Sequence, residues 1–289
     1  MIIVEISGGL GNQLFQYAFG RTLALRNKCE LKLDISTFEN YEWHEYSLNP
    51  FNIKQVIATK KERENLLGIN LPIYERIKRK LFKRQLILIT ENSLLFDSKY
   101  LEVKEPAYLR GYWQSEKYFT DFKNEILNDL IIQVKPTSEN QKILDQIISC
   151  NSISLHIRRG NFVNDESVNK RHGTTSLIYY QEAINVINSK VSNPVYFIFS
   201  DDILWVKTNF NITEKVLFVD VNDAKNDFQD LRLISSCKHH ILANSTFSWW
   251  GAWLNNYQSK IVIAPKQWFA DPVKNSFHKN IIPKEWIRL

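Results

Sequence analysis

Short apolar runs alternate along the chain with longer stretches in which apolar residues recur every three or four positions. This alternation of strand-like and helix-like segments predicts an α/β protein. At the start, "MIIVEI" (1–6) reads as a strand, "NQLFQYAFGRTLALRN" (12–27) as a helix and "ELKLDI" (30–35) as a second strand, a βαβ unit joined through a glycine turn. "LILIT" (86–90) and "AYLRGYW" (107–113) read as further strands. A helix is predicted in "EKYFTDFKNEILNDL" (116–130), with apolar residues at Phe119, Phe122, Ile126, Leu127 and Leu130. The proline and polar residues of "KPTSENQ" mark a boundary, giving predicted domains 1–135 and 136–289. Beyond it the pattern restarts, with helices at 139–149, 177–189, 227–237 and 245–254 and a short helix after Asp201. Between them lie the strands "ISLHI", "VYFIF", "VLFV", "HILA" and "KIVIA". A doubly wound parallel sheet follows, and such sheets bind ligands beyond the carboxyl ends of their strands.

Composition narrows the function classes. With 289 residues, 44% of them hydrophobic, the chain can bury a large core and divide into two domains. Cys29, Cys150 and Cys237 lie far apart, in neither disulfide nor zinc spacing, which fits a reducing cytoplasm. The N-terminus has no basic leader, and no apolar run approaches the roughly 18 residues of a membrane span, so neither secretion nor a transmembrane anchor is expected. Thirty-seven Lys and Arg against 31 Asp and Glu give a net charge of +6, which suits an anionic ligand. Many of these cations cluster in "IYERIKRKLFKR" (73–84), around Ile73, Ile77 and Leu81. That stretch reads as a basic amphipathic helix, either a solvated face or a peripheral contact with an anionic inner membrane leaflet. No nucleic-acid partner is expected, because no recognition motif accompanies the charges.

Three stretches carry candidate chemistry. "SLHIRRGNFVNDE" (154–166) delivers Arg158 and Arg159 to the carboxyl edge of a buried strand, where planar guanidinium groups match phosphate oxygens. One arginine is expected on phosphate and the other on its own loop. In "ANSTFSWWGAWL" (243–254), Asn244, Ser245 and Thr246 precede an aromatic helix, so the turn either caps that helix or offers its N–H groups to a phosphate. "SGGLGNQLFQYAFG" (7–20) places Gly8, Gly9 and Gly11 before a helix, but lacks the third glycine of the dinucleotide fingerprint. The acidic pair Asp201 and Asp202 after "VYFIFS" reads as a cap and hinge rather than a metal site.

Taken together, "GGLGNQLFQYAFG" (8–20), "GYWQSEKYF" (111–119), "HIRRGN" (156–161), "FSDDILW" (199–205) and "DLRLISSCKHHILANSTFSWWGAWL" (230–254) resemble glycosyltransferase family 11, the α-1,2-fucosyltransferases, bacterial O-antigen and capsule enzymes above all. The resemblance implies a GT-B architecture of two Rossmann-like domains facing a central cleft. It also implies inverting transfer from GDP-β-L-fucose to the 2-hydroxyl of a galactose, on an oligosaccharide or lipid-linked glycan, with no cofactor or metal. By the same resemblance Arg158 and Arg159 meet the diphosphate beside His156, and Asp230 receives the guanine N–H groups. Ser245, Thr246 and Ser248, following Asn244, form the phosphate-facing turn, while Asn12 and Gln13 face the cleft from the acceptor-side domain. Asn161 stands where the family has aspartate, so the base falls to Asp165 or Glu166 and then to His172. Two alternatives stay open: an inverting fucosyltransferase of another linkage, and a catalytically impaired GDP-sugar or glycan binder.

Overall fold

The structure, a computed structural model, describes residues 1–40, 44–69, 88–160, 163, 165, 166, 169, 170, 173–277 and 279–289. The predicted basic helix over 73–84, together with Asn161 and His172, lies outside the described residues. The chain divides into two compact units, Met1–Ile131 and Ile132–Leu289, so the division falls a few residues before the predicted boundary at 135/136. Among the described residues no helix is long and apolar enough to cross a membrane.

The first unit runs β1 (Ile2–Glu5), α1 (Leu10–Asn27), β2 (Leu31–Asp34), α2 (Lys60–Leu67), β3 (Leu88–Thr90), β4 (Ala107–Arg110) and α3 (Lys123–Asp129). Its sheet has the order β2-β1-β4-β3, and every pair is parallel. Ile2, Ile3 and Val4 are wholly buried, as a parallel strand covered on both faces requires. Helix α1 begins at Leu10, earlier than its apolar pattern suggested, because Gly8 turns the chain at φ +75° and Gly9 takes the cap position. A side chain at Gly20 would start 2.9 Å from Val4 Cγ1, so this glycine permits the close helix-to-strand packing that the missing third glycine of the fingerprint would serve.

Two predictions in this unit are corrected. The helix expected over 116–130 is two 3₁₀ turns, Glu116–Tyr118 and Thr120–Phe122, followed by α3. Tyr118 and Phe119 are both driven into the core, and the backbone of Phe119 (φ −138°, ψ 6°) leaves the helical region to allow it. The strand expected over 107–113 ends at Arg110, because Trp113 turns away with φ +56° to bury its ring.

The second unit runs α4 (Ser138–Ser149), β5 (Asn151–Ile157), α5 (Leu177–Asn188), β6 (Pro194–Ser200), α6 (Ile203–Asn209), β7 (Lys215–Val219), α7 (Asp227–Ser236), β8 (His239–Ile241), α8 (Thr246–Leu254), β9 (Val262–Ala264), α9 (Pro272–Phe277) and β10 (Ile287–Arg288). Its six parallel strands have the order β10-β9-β8-β5-β6-β7. From β5 the chain winds one way through β6 and β7, then returns and winds the other way through β8, β9 and β10. The order therefore reverses between β5 and β8, where a doubly wound sheet opens a crevice at its carboxyl edge. One face packs Ile153, Leu155 and Ile157 against Tyr180 and Ala183 of α5 and Val206 of α6. The other packs Phe197 and Phe199 against Ile143 of α4 and Leu233 and Ile234 of α7. The tryptophans of α8 are core: Trp249 and Trp250 are wholly buried, and a side chain at Gly251 would start 2.2 Å from Ile234 Cγ2.

Candidate functional site

The crevice of the second sheet is flanked by the two stretches that stood out in the sequence, the exit of β5 and the entry of α8. Parallel pairing sets Ile157 beside Ser200, so the residues that follow, Arg158 and Asp201, emerge as neighbours. Arg158 Nη1 lies 2.9 Å from Asp201 Oδ2, and the other oxygen of that carboxylate accepts the Arg159 backbone N–H at 2.8 Å. A side chain at Gly160 would start 2.2 Å from Asp201 Oδ2, so glycine follows the arginine pair because the carboxylate occupies that space.

Arg159 is held more completely. Its Cζ sits 3.4 Å from the centre of the Trp205 ring, and Nε lies 3.4 Å from Asp202 Oδ2. Asp202 also caps α6 by accepting the Trp205 N–H. The side chain of Arg159 is 17% exposed against 28% for Arg158. Both guanidinium groups thus have carboxylate partners, and Arg158 is the less enclosed of the two. A recess of about 180 Å³ opens beside them, with Thr175, Ser176, Tyr180 and Trp205 in its wall. The sequence reading passed over Asp201 as a phosphate-site element. Its signal was present in "FSDDILW", but only the β5–β6 register turns an acidic pair after one strand into partners for a basic pair after its neighbour.

His156, on the opposite face of β5, is 5% exposed, and its ring lies 5.8 Å from that of Phe247 in the first turn of α8. Burial, reinforced by Arg158, pushes its imidazole down to about 3, so it stays neutral at ordinary pH. Its Nδ1 is buried and makes no hydrogen bond among the described residues, a state that native proteins seldom leave unused.

Across the crevice, Ser245 caps α8 by accepting the Phe247 N–H at 3.3 Å, and Thr246 opens the helix half-buried. Two residues expected at the phosphate have their polar groups engaged within the protein. Ser248 is wholly buried and donates its hydroxyl to the Ser245 carbonyl at 3.2 Å. Asn244 is 4% exposed, donating to the carbonyls of Gly173 and Trp268 and accepting from Thr175 Oγ1, which ties three segments together.

Asp230, half-buried in the first turn of α7 beyond the carboxyl end of β7, accepts from Asn222 Nδ2 at 2.6 Å. Burial pushes its carboxyl up to about 6. Asp227, one turn earlier, is pushed up to about 7 by burial and by the neighbouring Asp230. A helix N-terminus favours carboxylate ionisation, so burial dominates at this site.

Of the acidic residues after the arginine pair, Glu166 is helical and solvated: its side chain is 83% exposed and pairs with Lys170 one turn further on. Asp165 is half-buried. In the first unit Gln13 is likewise engaged within the protein. Its buried amide donates to the carbonyls of Gly8 and Glu45 and accepts the Ser47 N–H, each within 2.9 Å, so it pins a distant loop. Asn12 stays at the edge and accepts from Gln114 Nε2 at 2.9 Å.

Comparison with known proteins finds relatives along the whole chain. The family model described as Glycosyl transferase family 11 matches residues 1–289. An Escherichia coli protein named alpha-1,2-colitosyltransferase is 35% identical over 295 aligned residues, covering 100% of this chain and 99% of its own length. A second Escherichia coli protein, the O-antigen biosynthesis glycosyltransferase WbnK, is 32% identical over 98% of this chain and 99% of its own. The bovine galactoside 2-alpha-L-fucosyltransferase SEC1 is 25% identical over 52% of this chain and 42% of its own length. Among solved structures, the fucosyltransferase NodZ from Bradyrhizobium superposes with a TM-score of 0.47 at 16% identity, covering 86% of this chain and 91% of that one.

Proposed function

The chain belongs to glycosyl transferase family 11, and from that premise we propose that it transfers L-fucose from GDP-β-L-fucose to the 2-hydroxyl of a galactose, with inversion and without a metal ion. One observation carries the reading: at the strand-order reversal of the second sheet, Arg158 stands on one side and the N-terminus of α8 on the other. Together they supply fixed positive potential where a diphosphate leaving group gathers charge. Asp201 orients Arg158 through one guanidinium nitrogen, and Arg159, stacked on Trp205, holds the turn. The expected division of labour thus assigns Arg158 to phosphate and Arg159 to the loop.

His156 Nδ1 and the Ser245–Thr246 turn are neutral polar groups at the same sheet edge, and we assign them to the diphosphate alongside Arg158. Asp230, when ionised, would accept the two guanine N–H groups, a pairing that adenine does not offer. The acceptor hydroxyl attacks the anomeric carbon from the face opposite GDP, its proton passing to Asp165, the less solvated of the two described carboxylates that follow the arginine pair.

A second donor has support from the Escherichia coli relative named a colitosyltransferase, since colitose is the 3-deoxy counterpart of fucose. Incubating the protein with GDP-fucose or GDP-colitose and lactose in EDTA, then assigning the product linkage by NMR, tests both readings. A 2-linked product without divalent metal is expected. Absence of transfer from either donor, or strict dependence on a divalent ion, contradicts the proposal.

A further inference from the structure

The first sheet also reverses its strand order, between β1 and β4, and the two chain segments that leave this reversal are in contact. From β1 comes the glycine turn that leads to Asn12; from β4 comes the segment 111–114. Gln114 Nε2 donates to Asn12 Oδ1 at 2.9 Å, joining them. The charges at this edge are internally satisfied, as Arg110 pairs with Glu5 at 2.9 Å. The Glu91 carboxylate is occupied too, accepting the backbone N–H of Tyr112 at 2.7 Å and of Trp113 at 3.1 Å.

That carboxylate fixes the segment in an unusual shape. Trp113 holds φ +56°, a left-handed conformation that a bulky residue keeps only when its surroundings over-determine it. Its ring is wholly buried, stacked on Phe19 and edge-on to Tyr100 and Tyr118. No side chain fits at Gly111, which would start 2.4 Å from Glu91 Cβ and 3.0 Å from Trp113 Cε2. The indole Nε1, bonded to that Cε2, is buried with no hydrogen-bond partner among the described residues. On this rigid base Tyr112 presents a side chain that is 42% exposed.

An aromatic ring on a fixed backbone beside two amides is the chemistry of sugar recognition: the ring covers the C–H face of a pyranose, and amides both give and accept hydrogen bonds with hydroxyls. We propose that the carboxyl edge of the first sheet, at the reversal between β1 and β4, seats the neutral terminal sugar of the glycan acceptor, with Tyr112 as the stacking platform and Gln114 and Asn12 as the hydroxyl-reading amides. This rests on the reading of the chain as a glycan-modifying transferase.

The test separates the seat from the donor. Lactose binding to the full chain is read by ligand-observed NMR without any nucleotide, GDP binding by calorimetry, and the KM for lactose from initial rates with GDP-fucose. In Tyr112→Ala, lactose affinity should fall and its KM rise by about tenfold, the usual consequence of truncating an aromatic anchor. Gln114→Ala should show a smaller change in the same direction, Tyr112→Phe should behave as wild type, and GDP affinity should hold throughout. A wild-type chain that binds no lactose, a Tyr112→Ala chain that binds it equally well, or a parallel loss of GDP affinity overturns the seat. Intact lactose binding without transfer from GDP-fucose counts against the donor reading alone.

Discussion

The two sheets share a plan and differ in what they place at its focus. Each is parallel throughout, and each reverses strand order beside its first strand. At the reversal in the second unit stand a guanidinium pair and a capped helix end; at the reversal in the first stand amides, a tyrosine and an ion pair that neutralises itself. A parallel α/β sheet supplies a crevice of fixed location, and the residues leaving the flanking strands decide whether an anion or a polyhydroxyl compound is held there. The charged edge suits a nucleoside diphosphate, and the neutral edge suits a sugar.

Removing the cation from the charged edge is the most severe way to break this contrast. Arg158→Ala should lower kcat roughly 100- to 1,000-fold, the usual loss of one preorganised donor to a developing charge, while circular dichroism and melting stay near wild type. Gly160→Ala comes next, since its new Cβ meets the Asp201 carboxylate at 2.2 Å and must push it off Arg158. Misplacement of this kind should reduce turnover on the order of tenfold to a hundredfold, measured at saturating donor.

Acidification sharpens the contrast without mutation. Asp230 carries a carboxyl raised to about 6, so it is largely ionised at neutral pH and takes up its proton as the pH falls through that value. GDP affinity should then weaken by up to about tenfold per pH unit below 6, and Asp230→Asn should flatten the profile. Stability should move the opposite way. The folded chain holds these protons more tightly than the unfolded chain, so acidification from neutrality towards the ordinary carboxylate range stabilises the fold, which urea titrations across that range would register. The smallest functional effect is expected for Gln13→Ala, which unpins the Glu45–Ser47 loop and should lower unfolding free energy by roughly 1–3 kcal/mol in a melting experiment, with GDP affinity unchanged.

Much of this layout was legible in the amino-acid sequence, and the remainder was hidden for identifiable reasons. Runs such as "ISLHI" and "VYFIF" announce strands buried on both faces, because burial on both sides leaves no polar alternation to obscure them. The 116–130 segment misleads because its apolar spacing is helical while its two aromatic anchors require 3₁₀ turns. Arg158 and Arg159 stand out locally. Their carboxylate partners lie more than 40 residues away and become neighbours only through the β5–β6 register. Gln13 looked like a ligand contact because its partners, 32 and 34 residues along the chain, leave no local trace. Asn244 and Ser248 sit in a motif with phosphate-binding chemistry, and packing of the turn itself takes up their polar groups.

The central claim is that Arg158 and the N-terminus of α8 hold a diphosphate without a divalent ion. Calorimetric titration of GDP into the wild-type chain and into Arg158→Ala, both in EDTA, tests it most directly. The account predicts clear binding to the wild type and a loss of about a hundredfold or more in the variant. Equal affinity in the two proteins, or wild-type binding that appears only when magnesium is restored, would contradict it.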